Sequence, residues 1–315
     1  MTTPITIGVS ACLLGERVRY DGGHKHDRYL TCTLGKFFRF LPVCPEAGCG
    51  LPTPREPMRL VEEGGRVRLV TVRTRIDHTE RMRRWCAEKV AELAAEDLCG
   101  FIFKKGSPSS GLFGVKVYRP GMKAKRGRGL FAEAVTARFP LLPVEEEERL
   151  RDPQLRESFI VRVLAYRRWK ELVAGGTTPA RLAAFHTAHR LLLMAHSPEQ
   201  CRELGRLVAG ANGVPPEGLF ARYEALFMKA LTRRATVRKH TRVLQQLAGC
   251  LGKRLTPEER VEVAWVIEEY HDRLVPLVVP VTLLRHYARK CGEEQLLGQV
   301  YLTPIPTELM LRNCV

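Results

Sequence analysis

The sequence lacks any apolar run that approaches the roughly 20 residues a membrane-spanning helix needs. Its first residues, MTTPITIGVSAC, have neither a basic start nor a long apolar stretch, so no secretory signal peptide is expected. We therefore expect a cytoplasmic protein with no membrane partner.

Cys-x-x-Cys pairs are also missing, which argues against a zinc ribbon although the chain has 10 cysteines. Thiols stay reduced in the cytoplasm, so disulfides are not expected. The cysteines in or near helical patterns are expected to be small buried hydrophobic residues: Cys86, Cys201, Cys250, Cys291 and Cys314. The same packing role is the first interpretation for Cys32, Cys49 and Cys99.

Acidic residues are scarce relative to basic ones, with 34 Asp and Glu against 51 Lys and Arg and a net charge of +17. Both halves of the chain have an excess of basic residues. Residues 1–150 carry 26 basic and 18 acidic residues, and residues 151–315 carry 25 basic and 16 acidic residues. A charge of this sign favours a polyanionic partner such as a nucleic acid. A solvated basic surface is the alternative.

The first half of the chain alternates short apolar runs with amphipathic segments. Strands are predicted at 5–10, 40–43, 67–72, 100–105, 115–118 and 140–144, and a helix from Asp77 to Ala95 with Asp77 as its N-cap. This alternation predicts an α/β domain over residues 1–147 with a mainly parallel, Rossmann-like sheet. PVEEEERLRDP, at 143–153, is interpreted as the linker that follows.

The second half has helical periodicity almost throughout. Thr178-Pro179, Ser197-Pro198 and Thr256-Pro257 each place a capping hydroxyl before a first-turn proline. An all-α domain is therefore predicted over residues 154–315.

Reactive side chains follow three of the predicted strands. Cys12 follows the first, Cys44 and Glu46 follow the second, and the serine-rich turn GSPSSG, at 106–111, follows the fourth. Since the carboxyl ends of parallel strands share one edge of a sheet, these groups are expected to meet in one crevice.

Three segments resemble the signature blocks of the thiouracil desulfidases: SACLLGERVRYDGG, VCPEAGCGLPTPR and SPSSGLFGVKVY. AYRRW, FHTAHRLLLMAHSP and VYLTPIPTEL resemble the helical domain often fused to that family. The resemblance covers nearly the whole chain. It implies a 4Fe-4S cluster that is held by three cysteines and keeps one iron open for the sulfur of the substrate. It also implies that the reaction converts 4-thiouridine in tRNA to uridine.

Carried over by residue, the resemblance makes Cys12 and Cys44 cluster ligands. The third position, a cysteine in the family, is Ser110 here. Serine oxygen is a harder ligand that loses its proton far less readily than a thiol, so a weakly held or absent cluster is expected. We favour an introduced substitution over natural loss, because the other signature residues are intact. Cys49 is a better substitute ligand than Cys99, which lies at the amino end of its strand.

The resemblance also assigns roles in the reaction. Glu46 is suited to activate the attacking water, and Ser107 to hydrogen-bond this base or relay a proton. Tyr20, Asp21 and His24 follow the first ligand and are candidates for the substrate entrance. Without the resemblance, Glu46 would be interpreted as a surface carboxylate, Ser107 as a turn residue and the loop around His24 as solvated.

Two basic clusters are candidates for binding tRNA phosphates. The first, interpreted as a flexible loop, contains Lys123, Lys125, Arg126 and Arg128. The second, interpreted as about three helical turns, contains Arg233, Arg234, Arg238, Lys239 and Arg242. For His186, His189 and His196, caps and hydrogen bonds between helices are favoured over a metal site.

The sequence thus predicts an iron-sulfur desulfidase of 4-thiouridine in tRNA. Two alternatives remain open: a non-catalytic RNA-binding protein whose cluster site has decayed at Ser110, and a desulfidase of free thiobases.

Overall fold

The structure is a computed structural model that describes residues 4–211, 215–304 and 312. The chain divides into two compact units, Met1–Leu155 and Arg156–Val315. Within the described residues, no helix has both the length and the apolar character to cross a membrane.

The first unit contains two separate sheets. Its strands, in chain order, are β1 (Ile5–Ser10), β2 (Phe38–Val43), β3 (Met58–Glu63), β4 (Arg66–Thr71), β5 (Leu98–Phe103), β6 (Val115–Arg119), β7 (Met122–Gly127) and β8 (Val144–Glu146). The first sheet has the order β2-β1-β5-β8, and all its neighbouring strands are parallel. Every residue of β5 is buried, as expected for a strand inside a parallel sheet.

The second sheet is mixed and has the order β4-β3-β6-β7. Only β3 and β6 are parallel, and each forms an antiparallel pair with its other neighbour. The predicted strands at 67–72 and 115–118 therefore exist but lie outside the parallel sheet. Alternating apolar residues indicate a strand but not the sheet that it joins.

Four helices are described in the first unit, with short 3-10 turns between some of the elements. They are α1 (Arg28–Cys32), α2 (Pro45–Gly48), α3 (Thr79–Ala95) and α4 (Leu130–Arg138). The predicted N-cap of α3 is wrong by one residue, since His78 occupies that position. Asp77 instead accepts a hydrogen bond from the Thr79 backbone NH at 2.8 Å.

The segment interpreted as a linker is part of the first unit. Residues 144–146 form β8 at the edge of the parallel sheet, and Glu145, Glu146 and Glu147 are buried. The linker interpretation was wrong because a run of glutamates normally indicates a solvated segment. The predicted strand at 140–144 overlaps β8 only at Val144.

Aromatic rings fill the core next to the parallel sheet. The rings of Phe101 and Phe103 stack at 4.3 Å, and Phe131 from α4 meets both edge-on. Gly8 lies beneath Phe101, because a Cβ there would be 2.3 Å from the ring. A side chain at that position would displace the ring that joins α4 to the sheet.

The second unit is helical, as predicted. Its helices are α5 (Pro153–Ala174, which begins at the end of the first unit), α6 (Pro179–His196), α7 (Pro198–Ala209), α8 (Pro216–Leu231), α9 (Val237–Leu251), α10 (Pro257–His271), α11 (Val278–Lys290) and α12 (Glu294–Leu297). The predicted caps Thr178, Ser197 and Thr256 each accept a hydrogen bond from a backbone NH of the first helical turn. Trp169 stacks on Tyr223 at 5.3 Å in the core. Residues 305–309 of the block VYLTPIPTEL, and Cys314, lie outside the described residues.

Candidate functional site

The carboxyl ends of β1, β2 and β5 open onto one cleft of about 290 Å³. Five of the residues predicted to carry the chemistry line it: Cys12, Cys44, Glu46, Ser107 and Ser110. Cys12 lies in a 3-10 turn directly after β1, and Cys44 is the N-cap residue of α2 directly after β2. The parallel sheet therefore brings side chains from distant parts of the sequence to one edge.

Glu46 is held from both of its oxygens. Oε1 accepts a hydrogen bond from Ser109 Oγ at 2.8 Å and a longer one from Ser107 Oγ at 3.5 Å. Oε2 accepts from Arg55 Nε at 2.9 Å and from Arg55 Nη2. A carboxylate with both oxygens occupied has a fixed position at the cleft wall.

Arg55 is a site residue that the sequence reasoning missed. Its side chain is 5% exposed and that of Glu46 is 13% exposed, so most of the ion pair is shielded from solvent. The guanidinium also donates to the Val18 carbonyl at 2.8 Å and to the Pro52 carbonyl at 3.1 Å. Arg55 thus ties together the segments that follow β1 and β2. In the sequence, Arg55 could have been recognised as the last residue of the signature block VCPEAGCGLPTPR.

The serine-rich turn folds around the hydroxyl of Ser107. Ser107 Oγ accepts from the backbone NH groups of Ser109 at 3.3 Å and Ser110 at 3.1 Å. Behind the turn Gly129 approaches so closely that a Cβ there would lie 2.5 Å from the carbonyl carbon of Ser109. Ser109 and Ser110 are consequently buried, at 1% and 4% exposure. The sequence reasoning named Ser107 as the partner of Glu46, but Ser109 makes the shorter bond.

Buried glutamates hold the two ends of this turn. Glu146 Oε1 accepts from the backbone NH groups of Leu112 at 2.8 Å and Phe113 at 3.0 Å. Glu147 forms an ion pair with Lys104, which lines the cleft, and its Oε2 accepts from the Lys105 backbone NH at 2.7 Å. The glutamate run thus positions the segment that carries Ser107 and Ser110.

The chain is similar to known proteins. A family model described as 2-thiouracil desulfurase matches residues 7–147. A solved structure described as the 4Fe-4S-dependent thiouracil desulfidase TudS is 33% identical; the match covers 47% of this chain and 94% of that one, with a TM-score of 0.39. Residues 7–147 belong to the 2-thiouracil desulfurase family.

Two further matches involve proteins whose printed descriptions give no function. A family model described as a protein of unknown function, DUF1722, matches residues 190–306. The protein described as uncharacterized protein YbgA of Escherichia coli (strain K12) is 27% identical over 158 residues, which are 50% of this chain and 94% of that protein. The two-domain resemblance predicted from the sequence is confirmed.

The donors available for an iron-sulfur cluster are two thiols and one hydroxyl. Burial raises the pKa of the Cys12 thiol to about 11, with a smaller contribution from nearby Cys44. Burial also raises the pKa of Cys44, whose thiol donates to the Val18 carbonyl. Both thiols are therefore protonated near neutral pH in the free protein, and ligation must release their protons.

Ser110, the residue expected at the third ligand position, lines the same cleft as Cys12 and Cys44. Across the described residues, no three His, Cys, Asp or Glu side chains are grouped as a metal site would require. The cleft therefore offers two thiols and one hydroxyl, and oxygen is a weaker donor for iron than a thiolate.

Neither candidate substitute thiol lines the cleft. Cys49 is buried and donates to the Glu46 carbonyl, and its nearest ionisable neighbours include Arg81 and Cys86 of α3. Cys99 is fully buried at the start of β5. The burial expected for these two cysteines is confirmed.

Other cysteines only partly follow the prediction of burial. Cys86 and Cys201 are buried. Cys291 is half-buried, whereas Cys32 and Cys250 are exposed, so burial was wrongly expected for these two.

The loop after the first ligand contributes unequally to the cleft. Tyr20 lines the cleft, but Asp21 and His24 are not among the lining residues. Asp21 pairs with Arg19 at 3.3 Å and accepts from the Gly23 backbone NH at 3.0 Å. His24 Nδ1 accepts from the His26 backbone NH at 3.2 Å. These contacts give Asp21 and His24 a role in shaping the loop.

The first basic cluster is a strand, not a flexible loop. Lys123, Lys125 and Arg126 lie on β7, and Lys125 forms an ion pair with Glu62 at 2.5 Å. Arg128 follows the strand and donates to Thr136 Oγ1 at 2.6 Å. The loop interpretation failed because two glycines and consecutive polar residues obscured the pairing of β7 with β6.

The second basic cluster is not one continuous helix. Arg233 and Arg234 lie between α8 and α9, and α9 begins after Thr236, which caps it. Lys239 donates to the carbonyls of His196 at 2.7 Å and Arg234 at 2.8 Å, so its ammonium group is occupied in joining helices. The exposed cations that remain are Arg233, Arg234, Arg238 and Arg242.

The histidines of α6 make hydrogen bonds; those of His186 and His196 reach other segments, as favoured from the sequence, whereas that of His189 stays within α6. The partners are Tyr223 OH for His186, the Phe185 carbonyl for His189 and the Arg233 carbonyl for His196, at 3.0, 2.8 and 2.7 Å. Burial lowers the pKa of His189 to about 3 and that of His196 to about 4, so both rings are neutral at physiological pH.

The ion pair between Glu46 and Arg55 predicts a large energetic coupling. We expect Arg55→Gln to reduce the free energy of unfolding by roughly 3 kcal/mol, because it leaves a buried carboxylate unpaired. Glu46→Gln in the same chain should recover a substantial part of the loss. Urea unfolding of the two single variants and the double variant measures this coupling.

Lys89→Gln is the matched control, since Lys89 forms an ion pair with the exposed Glu92. Its expected cost is below about 1 kcal/mol. A cost for Arg55→Gln no larger than that of Lys89→Gln would contradict the assignment of Arg55 as the anchor of the cleft.

Proposed function

We propose that this protein is an iron-sulfur desulfidase that converts 4-thiouridine in tRNA to uridine. The observation that carries the proposal is the convergence of Cys12, Cys44 and Ser110 with the anchored carboxylate of Glu46 in one cleft. A chain of the 2-thiouracil desulfurase family presents there both a ligand set and a base.

The reaction replaces a carbon-sulfur double bond by a carbon-oxygen double bond and releases sulfide. When bound by Cys12, Cys44 and Ser110, a 4Fe-4S cluster with an open iron supplies the Lewis acid for the substrate sulfur. Glu46 accepts a proton from the attacking water, and the two serine hydroxyls give Oε1 a route for passing that proton on.

Arg55 keeps the other carboxylate oxygen occupied throughout. Because Oε2 is bound by the guanidinium, Oε1 is the oxygen that is free to exchange its serine bond for a bond to water. Arg55 lines the cleft, and its guanidinium is fixed there because it also donates hydrogen bonds to three further carbonyl or hydroxyl oxygens. It is a positioning residue for the base.

tRNA is proposed as the substrate on the basis of charge. The net charge of +17 and the exposed arginines of the second unit suit a phosphate backbone. A thiobase in folded RNA must leave its stack to enter a cleft, and backbone contacts supply the few kcal/mol that this costs. Free thiobases are the second candidate, supported by the description of TudS as a thiouracil desulfidase.

The serine at the third ligand position gives the first test. Ser110→Cys should bind about four irons and four acid-labile sulfides per chain after anaerobic reconstitution, because a third thiolate completes the ligand set. The unaltered chain should bind fewer irons or lose them on exposure to air. Iron and sulfide analysis of both proteins measures the difference.

Ser109→Cys is the matched control, because it places a thiol one residue away in the same turn. It should not stabilise the cluster. Equal iron content and equal stability in air for the unaltered chain and Ser110→Cys would contradict the proposal that Ser110 is the weakly binding third ligand.

The second test separates tRNA from free thiobases. In the Ser110→Cys protein, we expect glutamine substitutions at Arg233, Arg234, Arg238 and Arg242 to weaken the affinity for thiolated tRNA. The dependence of log affinity on log salt should fall by roughly 0.7 to 0.9 for each phosphate contact removed. Desulfuration of free 4-thiouracil should be unchanged.

Arg206→Gln with Arg222→Gln is the control, since both are exposed arginines elsewhere in the second unit. Binding of tRNA that responds equally to both sets, or to neither, would favour the free-thiobase alternative.

A further inference from the structure

The exposed face of β6 and β7 carries both cations and an aromatic ring. Val115 and Val117 of β6 are buried at 4% and 1% exposure, so Lys116 and Tyr118 between and beyond them face the opposite side of the sheet. Tyr118 is 40% exposed. An aromatic ring and a cation therefore share one accessible strand face.

A second cation lies directly across the ladder. Lys116 is paired in register with Arg126 of β7. Like charges directly opposite each other on antiparallel strands are destabilising. Within the described part of the chain, neither side chain forms an ion pair with a carboxylate. A phosphate bound between them would remove this repulsion.

Arg59 completes the surface from β3. Its guanidinium lies over the ring of Tyr118, 5.2 Å from the centroid. This cation-π contact restrains the ring. Glu63, which strand alternation places on the same face of β3 as Arg59, forms ion pairs with Arg68 and Arg75. The surface is thus positively charged and carries an ordered, partly exposed aromatic ring.

Strand alternation separates this surface from Lys125, one of the cations first grouped with Arg126. Lys125 lies one residue from Arg126 and forms its ion pair with Glu62 on the other side of the sheet. Beyond Lys125 the ladder shifts register, and Met122 pairs with Arg119, which alternates with Tyr118 along β6. The relevant group is therefore Lys116, Tyr118, Arg126 and Arg59, which we call the strand platform.

The strand platform begins at the rim of the cleft. Pro57 and Met58 line the cleft, and Met58 is the first residue of β3. β6 is parallel to β3 and begins five residues after Ser110, which also lines the cleft. The cleft therefore lies at the end of the second sheet where β3 and β6 begin, next to Arg59 and Lys116 in the sequence.

We propose that the strand platform binds an unpaired segment of RNA next to the thiobase. A base stacks on Tyr118, and phosphates bind Lys116 and Arg126. Stacking on aromatic rings together with backbone cations is how proteins hold single-stranded nucleic acid. This inference rests on the proposed tRNA substrate and adds a contact surface in the first unit.

Binding of an unmodified tRNA transcript, measured by fluorescence anisotropy at several salt concentrations, tests the proposal. Lys116→Gln with Arg126→Gln should lower the salt dependence of log affinity by about 1.4, as expected for two phosphates of a single strand. The same variant should raise the Tm by roughly 1 °C, because the repulsion between the strands is removed.

Tyr118 variants test stacking separately. Tyr118→Ser should weaken binding about tenfold, whereas Tyr118→Phe should retain the affinity of the unaltered chain. The charge control is Lys36→Gln with Arg84→Gln, two exposed cations elsewhere in the first unit. Equal loss of affinity in this control, or no change in the platform variants, overturns the proposal.

The proposed reaction and the proposed RNA-binding role of the strand platform can be tested independently. Binding of unmodified tRNA requires no turnover, so platform variants that weaken it support the surface even if Ser110→Cys does not desulfurate thiolated tRNA. If thiolated tRNA is desulfurated and the platform variants bind and react like the unaltered chain, the surface alone is overturned.

Discussion

The candidate site depends on the buried ion pair between Glu46 and Arg55. A carboxylate and a guanidinium at 13% and 5% exposure must satisfy each other and find further hydrogen bonds, or the cost of removing them from water is not recovered. Both conditions are met, because Arg55 also reaches carbonyls after β1 and before β3 while Glu46 reaches the serine turn. One interaction therefore fixes three segments around the cleft.

The same logic extends to the glutamates of β8. A buried carboxylate is stable only when its oxygens accept hydrogen bonds. Glu146 accepts hydrogen bonds from the backbone that follows the serine turn. Glu147 forms an ion pair with Lys104 and accepts a hydrogen bond from the backbone NH of Lys105. Charged groups that a globular core normally excludes are here the framework on which the hydroxyl-lined turn is built. The turn can then present Ser109 and Ser107 to the base at a fixed distance.

Much of this site could be predicted from the sequence. Strand periodicity placed Cys12, Cys44 and the serine turn at one edge, and the signature blocks distinguished Glu46 from an ordinary surface carboxylate. Arg55 was missed because nothing local marks an arginine that will be buried by segments far away in sequence. Glu146 and Glu147 were misassigned for a related reason, since four consecutive glutamates indicate solvent unless backbone NH groups and a lysine elsewhere meet them. The division into two sheets could not be predicted either, because alternation of apolar and polar residues shows only that a strand has a buried side.

The central claim is that Glu46 is the base, and its measurement uses Ser110→Cys protein with free 4-thiouracil, so that RNA binding plays no part. Adding Glu46→Gln should leave iron content unchanged, because the amide keeps the shape of the side chain. It should reduce kcat by about a hundredfold or more, as expected when a general base is lost. Asp21→Asn, which changes a carboxylate outside the cleft lining, should leave kcat near that of Ser110→Cys. An unchanged kcat in the Glu46→Gln protein with its iron retained would contradict the account.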